Sequence, residues 1–185
     1  MAAGQVILQS HHVLEQNLFR DHPLLKRLDE LKLIEKDSSA NRIYLPVEGE
    51  LAEDIESSPH RGRTRSSYTD GVTSFLDDLR RADDGMAAMR KEPAAAARIA
   101  ARGTEFQETL KLGLINGDAL ATTPDALTKD QANARNVRFF SDPQTYRAEH
   151  AVQLRMLRSM GPVESEWAAV THSDARIGRI IDEIH

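Results

Sequence analysis

Cysteine is absent from this 185-residue chain, which excludes a disulfide framework, a thiolate metal site and a cysteine nucleophile. Any metal has to rest on imidazole, carboxylate or water. Aromatic residues are scarce, at 5%, so the core of the half beyond residue 85 has to lean on Leu, Ile, Ala and Met. No stretch approaches the roughly 18 apolar residues of a membrane-crossing helix. The N-terminal segment lacks the basic start, apolar run and small-residue cleavage site of a signal peptide, so a soluble chain with no membrane partner is expected. A general positive charge is missing too: 29 acidic against 24 basic residues leave a formal net charge of -5, which argues against a basic nucleic-acid coat. The length suits one domain, or a small catalytic unit with an appended helical part.

What is present starts with histidine. The stretch "QVILQSHHVLEQNLFRDHPLL" sets His11 beside His12 at the end of a short apolar run and puts His22 before Pro23. Buried ring nitrogens need partners, so a tandem pair asks for an explanation. "QVILQ" reads as a short strand that delivers the pair. "FRDHPLLKRLDELKLIEK" reads as an amphipathic helix with Asp21 as N-cap, Pro23 in its first turn, and Leu24, Leu25, Leu28, Leu31 and Leu33 on one face. "DSSAN" is turn chemistry, and "NRIYLPVE" is a second strand ended by Pro46.

A polar stretch follows as loop or irregular helix and contains "HRGRTR", where Arg61, Arg63 and Arg65 stand close behind His60 without a nearby acid. Residues 1 to 56, by contrast, hold eleven acids against six Lys plus Arg, so this local cationic patch could take a phosphate. From about Ser66 a second amphipathic helix carries Tyr68, Val72, Phe75, Leu76 and Leu79 at spacings of three and four, with Ser66 or Ser67 able to cap it. Beyond residue 85 the chain turns alanine-rich, and Pro93, Gly103, Pro124, Pro143 and Gly161 with Pro162 punctuate it into several short helices. The expected class is α+β: a small strand-strand-helix core over 1–84, then a mostly α-helical region over 85–185 packed on it.

The combination "SHHVLEQNLFRDHPLLKRL … ANRIYLP … PHRGRTRSSYTDGV" resembles the AHH family of the HNH/endonuclease VII (ββα-metal) superfamily, over about residues 7 to 80. Two departures stand out. Ser10 takes the place of a small Ala or Gly before the histidine pair, and Thr64 stands where the family's "HxGRH" motif has its second histidine. The resemblance implies a metal-dependent endonuclease toxin domain of a bacterial secreted or contact-dependent effector, hydrolysing phosphodiester bonds of DNA, or of RNA, in the target-cell cytoplasm. A cognate immunity protein would be its partner.

Such cleavage needs a base to activate water, a cation to stabilise charge developing on the phosphoryl and leaving oxygens, and alignment of both with the scissile bond. An imidazole with an ordinary pKa of ~6.5 suits the first task. The assignment is His12 as general base, with His11 and His60 as metal ligands; the roles within the tandem pair are exchangeable. By resemblance, Asn41 orients a catalytic group or braces the loop. Arg63 is the nearest phosphate clamp, with Arg61 and Arg65 also available to phosphate. Thr64 is a possible substituted ligand, and its neutral hydroxyl suits a hard, hydrated ion better than a borderline one. A divalent cation is therefore expected, Mg²⁺ or Mn²⁺ before Ni²⁺ or Zn²⁺.

Neighbouring strand residues point to opposite faces, so His11 and His12 share a site only if the strand ends or bulges there. His22 reads as structural at a helix start and Tyr68 as packing; His150, His172 and the terminal His185 have no partner motif. Two rival readings are a degenerate nuclease fold kept as a binding module and a structural zinc on His11, His12 and His60.

Overall fold

A computed structural model describes residues 8–171. Residues 5–7 of the first expected strand, the segment "RIGRIIDEIH", His172 and His185 lie outside that range. The described chain is mixed α+β. Strand β1 (Leu8–His12) is followed by two short helices, α1 (Gln16–Asp21) and α2 (Pro23–Glu30). A 3₁₀ turn, Ser39–Asn41, leads into β2 (Arg42–Pro46), then α3 (Gly49–Asp54) and α4 (Ser66–Arg81). The rest is helical: α5 (Asp83–Met89), α6 (Pro93–Ile115), α7 (Lys129–Ser141), α8 (Pro143–Glu149) and α9 (Ala151–Ser159), with a final 3₁₀ turn at Glu164–Trp167. No helix among the described residues is long and apolar enough to cross a membrane.

β1 and β2 pair antiparallel, with His11 opposite Ile43 and His12 opposite Arg42. Residues facing each other across such a pair share a face, so His11 lies on the side of the buried Ile43 and His12 on the other. On that outer side Tyr44 is covered by Trp167, stacked with ring centroids 4.0 Å apart. Ile43 and Leu45 enter a core shared with Leu14 after β1, with Leu24, Leu25 and Leu28 of α2 and with Ile99, Phe106 and Leu110 of α6. The apolar cluster is thus continuous across residues 84 and 85.

Several local expectations need correction. Asp21 is the last residue of α1, held by Arg20, and the residue that opens α2 is His22, with Pro23 behind it and no side-chain cap. The N-cap of α4 is Arg65, not Ser66 or Ser67, again without a side-chain cap. α2 stops at Glu30, so Leu31 and Leu33 are exposed. The stop is made by Lys32 in the left-handed region (φ 58°), with Lys32 N–H donating to Asp29 O at 3.0 Å and Leu33 N–H to Leu28 O at 3.0 Å. That is a Schellman ending built without its usual glycine. Gly103 does not break the chain: α6 runs through it, and a Cβ there would lie 2.5 Å from Ile34 Cδ1. The glycine permits a close approach of the loop after α2.

Candidate active site

β1 ends at His12, and the chain leaves the sheet through Val13 and Leu14, both buried. The strand ending lets the two histidine rings reach one cleft from different faces. Asn41, 0% exposed, holds the departing chain in place. Its Oδ1 accepts from Leu14 N–H (2.8 Å) and from the Gln107 side chain (3.2 Å), while its Nδ2 donates to Leu14 O (3.0 Å) and Lys36 O (2.8 Å). Val13 N–H donates to Asn41 O at 2.9 Å. The Asn41 side chain is therefore a brace for the histidine-bearing loop. Tyr68, fully buried on α4, adds a second hold by donating its hydroxyl to Val13 O at 2.8 Å.

His60 arrives from the irregular segment before α4, fixed by its own N–H donating to Pro46 O at 2.8 Å. Its ring meets that of His11 edge-on, centroids 4.6 Å apart. His11 is 3% and His60 9% exposed. Burial, followed by the nearby rings of His60 and His12, pushes the His11 imidazolium down to about 3; burial also lowers that of His60. Both rings are neutral near pH 7, and His11 Nε2 and His60 Nδ1 are buried without a hydrogen-bond partner.

These rings open on a cleft of about 620 Å³ lined by Ser10, His11, His12, Glu15, Gln16, Asn17, Arg20, Lys36, His60 and Thr64. His12 Nε2 contacts the Asp37 carboxylate at 3.2 Å and the Gln16 amide nitrogen at 3.1 Å; it donates to the first in one tautomer and accepts from the second in the other. The His12 contact leads the effects that hold the Asp37 carboxyl below the usual range. Thr64 lies in the cleft as well.

The arginine expectations fare differently. Arg63 is exposed, and its charge favours the ionised form of Glu15. Arg61 is drawn away to Asp125, with its N–H on Thr122. Arg65 ties the loop to the helical half through Thr123, Lys129 O (3.0 Å) and Asn133. None of Arg61, Arg63 and Arg65 lines the cleft, and Arg61 and Arg65 bind groups of the later half of the chain. The cations that do line it are Arg20 and Lys36, each beside a carboxylate, Asp21 and Asp37 respectively.

Glu15, half-buried at the start of α1, lines the cleft without belonging to any motif named above. Burial raises its carboxyl pKa, while the hydroxyls of Thr69 and Thr64 act in the opposite direction. The available signal was an acid three residues after the histidine pair. His22 is structural in position, buried at the start of α2 with Nε2 3.5 Å from Asp77. His150 stacks on Tyr146 and contacts its carbonyl oxygen at 2.8 Å, away from the cleft.

The residues present fit a cation in part. Two neutral imidazoles carry unpartnered buried nitrogens, yet among the described residues no three His, Asp or Glu side chains are arranged to hold one ion. Such a site suits a hydrated cation that keeps several waters better than a structural zinc closed by four side chains. No protein-family model, no curated protein and no solved structure matches the chain.

Proposed function

We propose that the chain is a metal-dependent nuclease that hydrolyses phosphodiester bonds in DNA. The observation that carries this is the convergence of His11, His12 and His60 on one cleft, two of them with unpartnered buried nitrogens. A base has to be protonatable near the working pH. His11, held down to about 3, is a poor base at neutral pH. His12 is the third ring on the cleft, and its Nε2 lies 3.2 Å from the Asp37 carboxylate, which can orient the imidazole. This favours His12 as base and His11 with His60 as the cation's ligands.

A divalent cation at His11 and His60 would stabilise negative charge on the phosphoryl and leaving oxygens. His12, with Nε2–H turned to Asp37, takes the proton of the attacking water on Nδ1, and Asp37 stabilises the imidazolium, as the carboxylate does in a catalytic triad. Arg20 and Lys36, at the rim beside Asp21 and Asp37, would turn from those carboxylates to hold the phosphate. Asn41 and Tyr68 keep the His12 loop in register.

Purified protein incubated with supercoiled plasmid and with total RNA, across Mg²⁺, Mn²⁺, Ni²⁺ and Zn²⁺ with a chelator control, tests this reading. Metal-dependent plasmid nicking that falls about 10²–10⁴-fold in His12→Ala is expected. Cleavage of RNA alone would move the substrate class, and no cleavage with any metal overturns the nuclease reading. The delivered-toxin setting and its immunity partner belong to the same proposal. Expression inside a bacterium should arrest growth for the native chain and not for His12→Ala.

A further inference from the structure

Four buried polar atoms on the cleft wall have no hydrogen-bond partner: Ser10 Oγ, His11 Nε2, Glu15 Oε2 and His60 Nδ1. Their chemistry is lopsided. An ionised carboxylate oxygen only accepts, a neutral imidazole offers one lone pair, and a hydroxyl can accept as well as donate. In the tautomers that leave the lone pairs on His11 Nε2 and His60 Nδ1, the two ring nitrogens and the Glu15 oxygen are three acceptors on one wall, an arrangement that suits positive charge or a water whose hydrogens are turned toward them. Arg20 and Lys36 do not meet this need, because each is directed to its neighbouring carboxylate.

We propose that Glu15 is a positioning residue for the divalent cation, its free oxygen accepting a hydrogen bond from a water on the ion that His11 and His60 ligate. The inference rests on the nuclease reading, and specifically on its cation. Direct ligation is disfavoured because no three His, Asp or Glu side chains among the described residues are set around one point. A water in between spans the remaining distance. Thr64 and Thr69 stand beside the carboxyl group and, with the Arg63 charge, act against the burial that raises its pKa. Thr64 thereby acts on the cation at one remove, through Glu15. A carboxylate that orders the ion's waters favours an ion that keeps them, Mg²⁺ or Mn²⁺, over Zn²⁺.

Calorimetric titration of Mn²⁺ into the native chain, Glu15→Gln, Thr64→Val and His60→Ala tests this, with circular dichroism to confirm the fold of each. Glu15→Gln should weaken Mn²⁺ binding about 10–100-fold, as loss of a residue that orients a ligand shell does. Thr64→Val should act in the same direction by less, and it carries the test if Glu15→Gln loses its native spectrum. Solvent-proton relaxation by bound Mn²⁺ should report the same number of ion-bound waters in Glu15→Gln as in the native chain. Native-like affinity in both variants, with binding lost in His60→Ala, overturns the role of Glu15 alone. An extra ion-bound water in Glu15→Gln overturns it in favour of direct ligation. A native chain that cleaves DNA yet binds no Mn²⁺ overturns the cation, and this inference with it.

Discussion

The imidazoles of His11 and His60 meet edge to face, with centroids 4.6 Å apart and planes at 60°. Two buried rings at this separation cannot both be protonated cheaply, and burial already holds His11 down to about 3. The folded value lies below the ordinary 6.5, so between pH 6.5 and 3 the unfolded chain binds more protons than the folded one. Stability contributed by neutral His11 is complete above pH 6.5 and is lost as pH falls toward 3. The slope approaches about 1.4 kcal/mol per pH unit for one such group. Urea unfolding at a series of pH values should show this acid-side slope, and His11→Asn should flatten it.

Asn41→Ala removes four side-chain hydrogen bonds and leaves Leu14 N–H and O without partners in the interior. A loss of about 2–4 kcal/mol is expected, more than any surface change should cause. Denaturant midpoints measure it. A loss below about 0.5 kcal/mol would mean that water replaces the brace.

Lys36→Ala and Arg20→Ala should raise KM for DNA and reduce the slope of log affinity against log salt by about one each. Arg65→Ala should leave that slope unchanged and lower stability by about 1–3 kcal/mol, since it unties the loop from Thr123 and Asn133. A changed salt slope for Arg65→Ala would return that residue to the substrate.

Gly71 on α4 faces the ring of Phe140 on α7, and a Cβ at Gly71 would lie 2.3 Å from two ring carbons. Gly71→Ala should therefore destabilise by about 1–3 kcal/mol, despite alanine's helix preference of about 1 kcal/mol. Phe140→Leu, made together with it, should recover part of the loss. Thermal melting of the single and double variants decides.

Lys32→Gly should do the opposite and stabilise, by about 0.5–1 kcal/mol, because lysine bears the left-handed conformation at a cost that glycine escapes. An unchanged or lower melting temperature would show that unfolded-state entropy outweighs the relief.

The helix endings explain much of what was and was not legible in the sequence. Lys32, Glu56 and Lys91 all occupy the left-handed position after α2, α3 and α5, where a reader of sequence looks for glycine, while Gly103 is embedded in α6 for packing. The punctuation was thus in part inverted. Proline was the dependable sign: Pro46 closes β2, and Pro93 and Pro143 open α6 and α8. Mixed α+β class and the strand carrying His11 and His12 followed from local apolar runs. The fate of Arg61 and Arg65 did not, because Asp125, Thr123 and Asn133 stand 58 to 68 positions away in the chain. Glu15 was hidden for a related reason. An acid at a helix start ordinarily meets solvent and the helix dipole, and only the fold shows Thr64 and Thr69 beside it.

The bond from Gln107, in the middle of α6, to Asn41 gives the histidine cluster a dependence that reaches beyond its own neighbourhood. A fragment ending after α4 would lose Gln107 and, with it, the share that Ile99, Phe106 and Leu110 have in the apolar cluster that also holds Leu14, Leu24 and Ile43. The histidines are therefore not a portable cassette. Grafting them elsewhere, or trimming the chain behind them, would carry the chemistry's side chains without the wall that fixes their spacing.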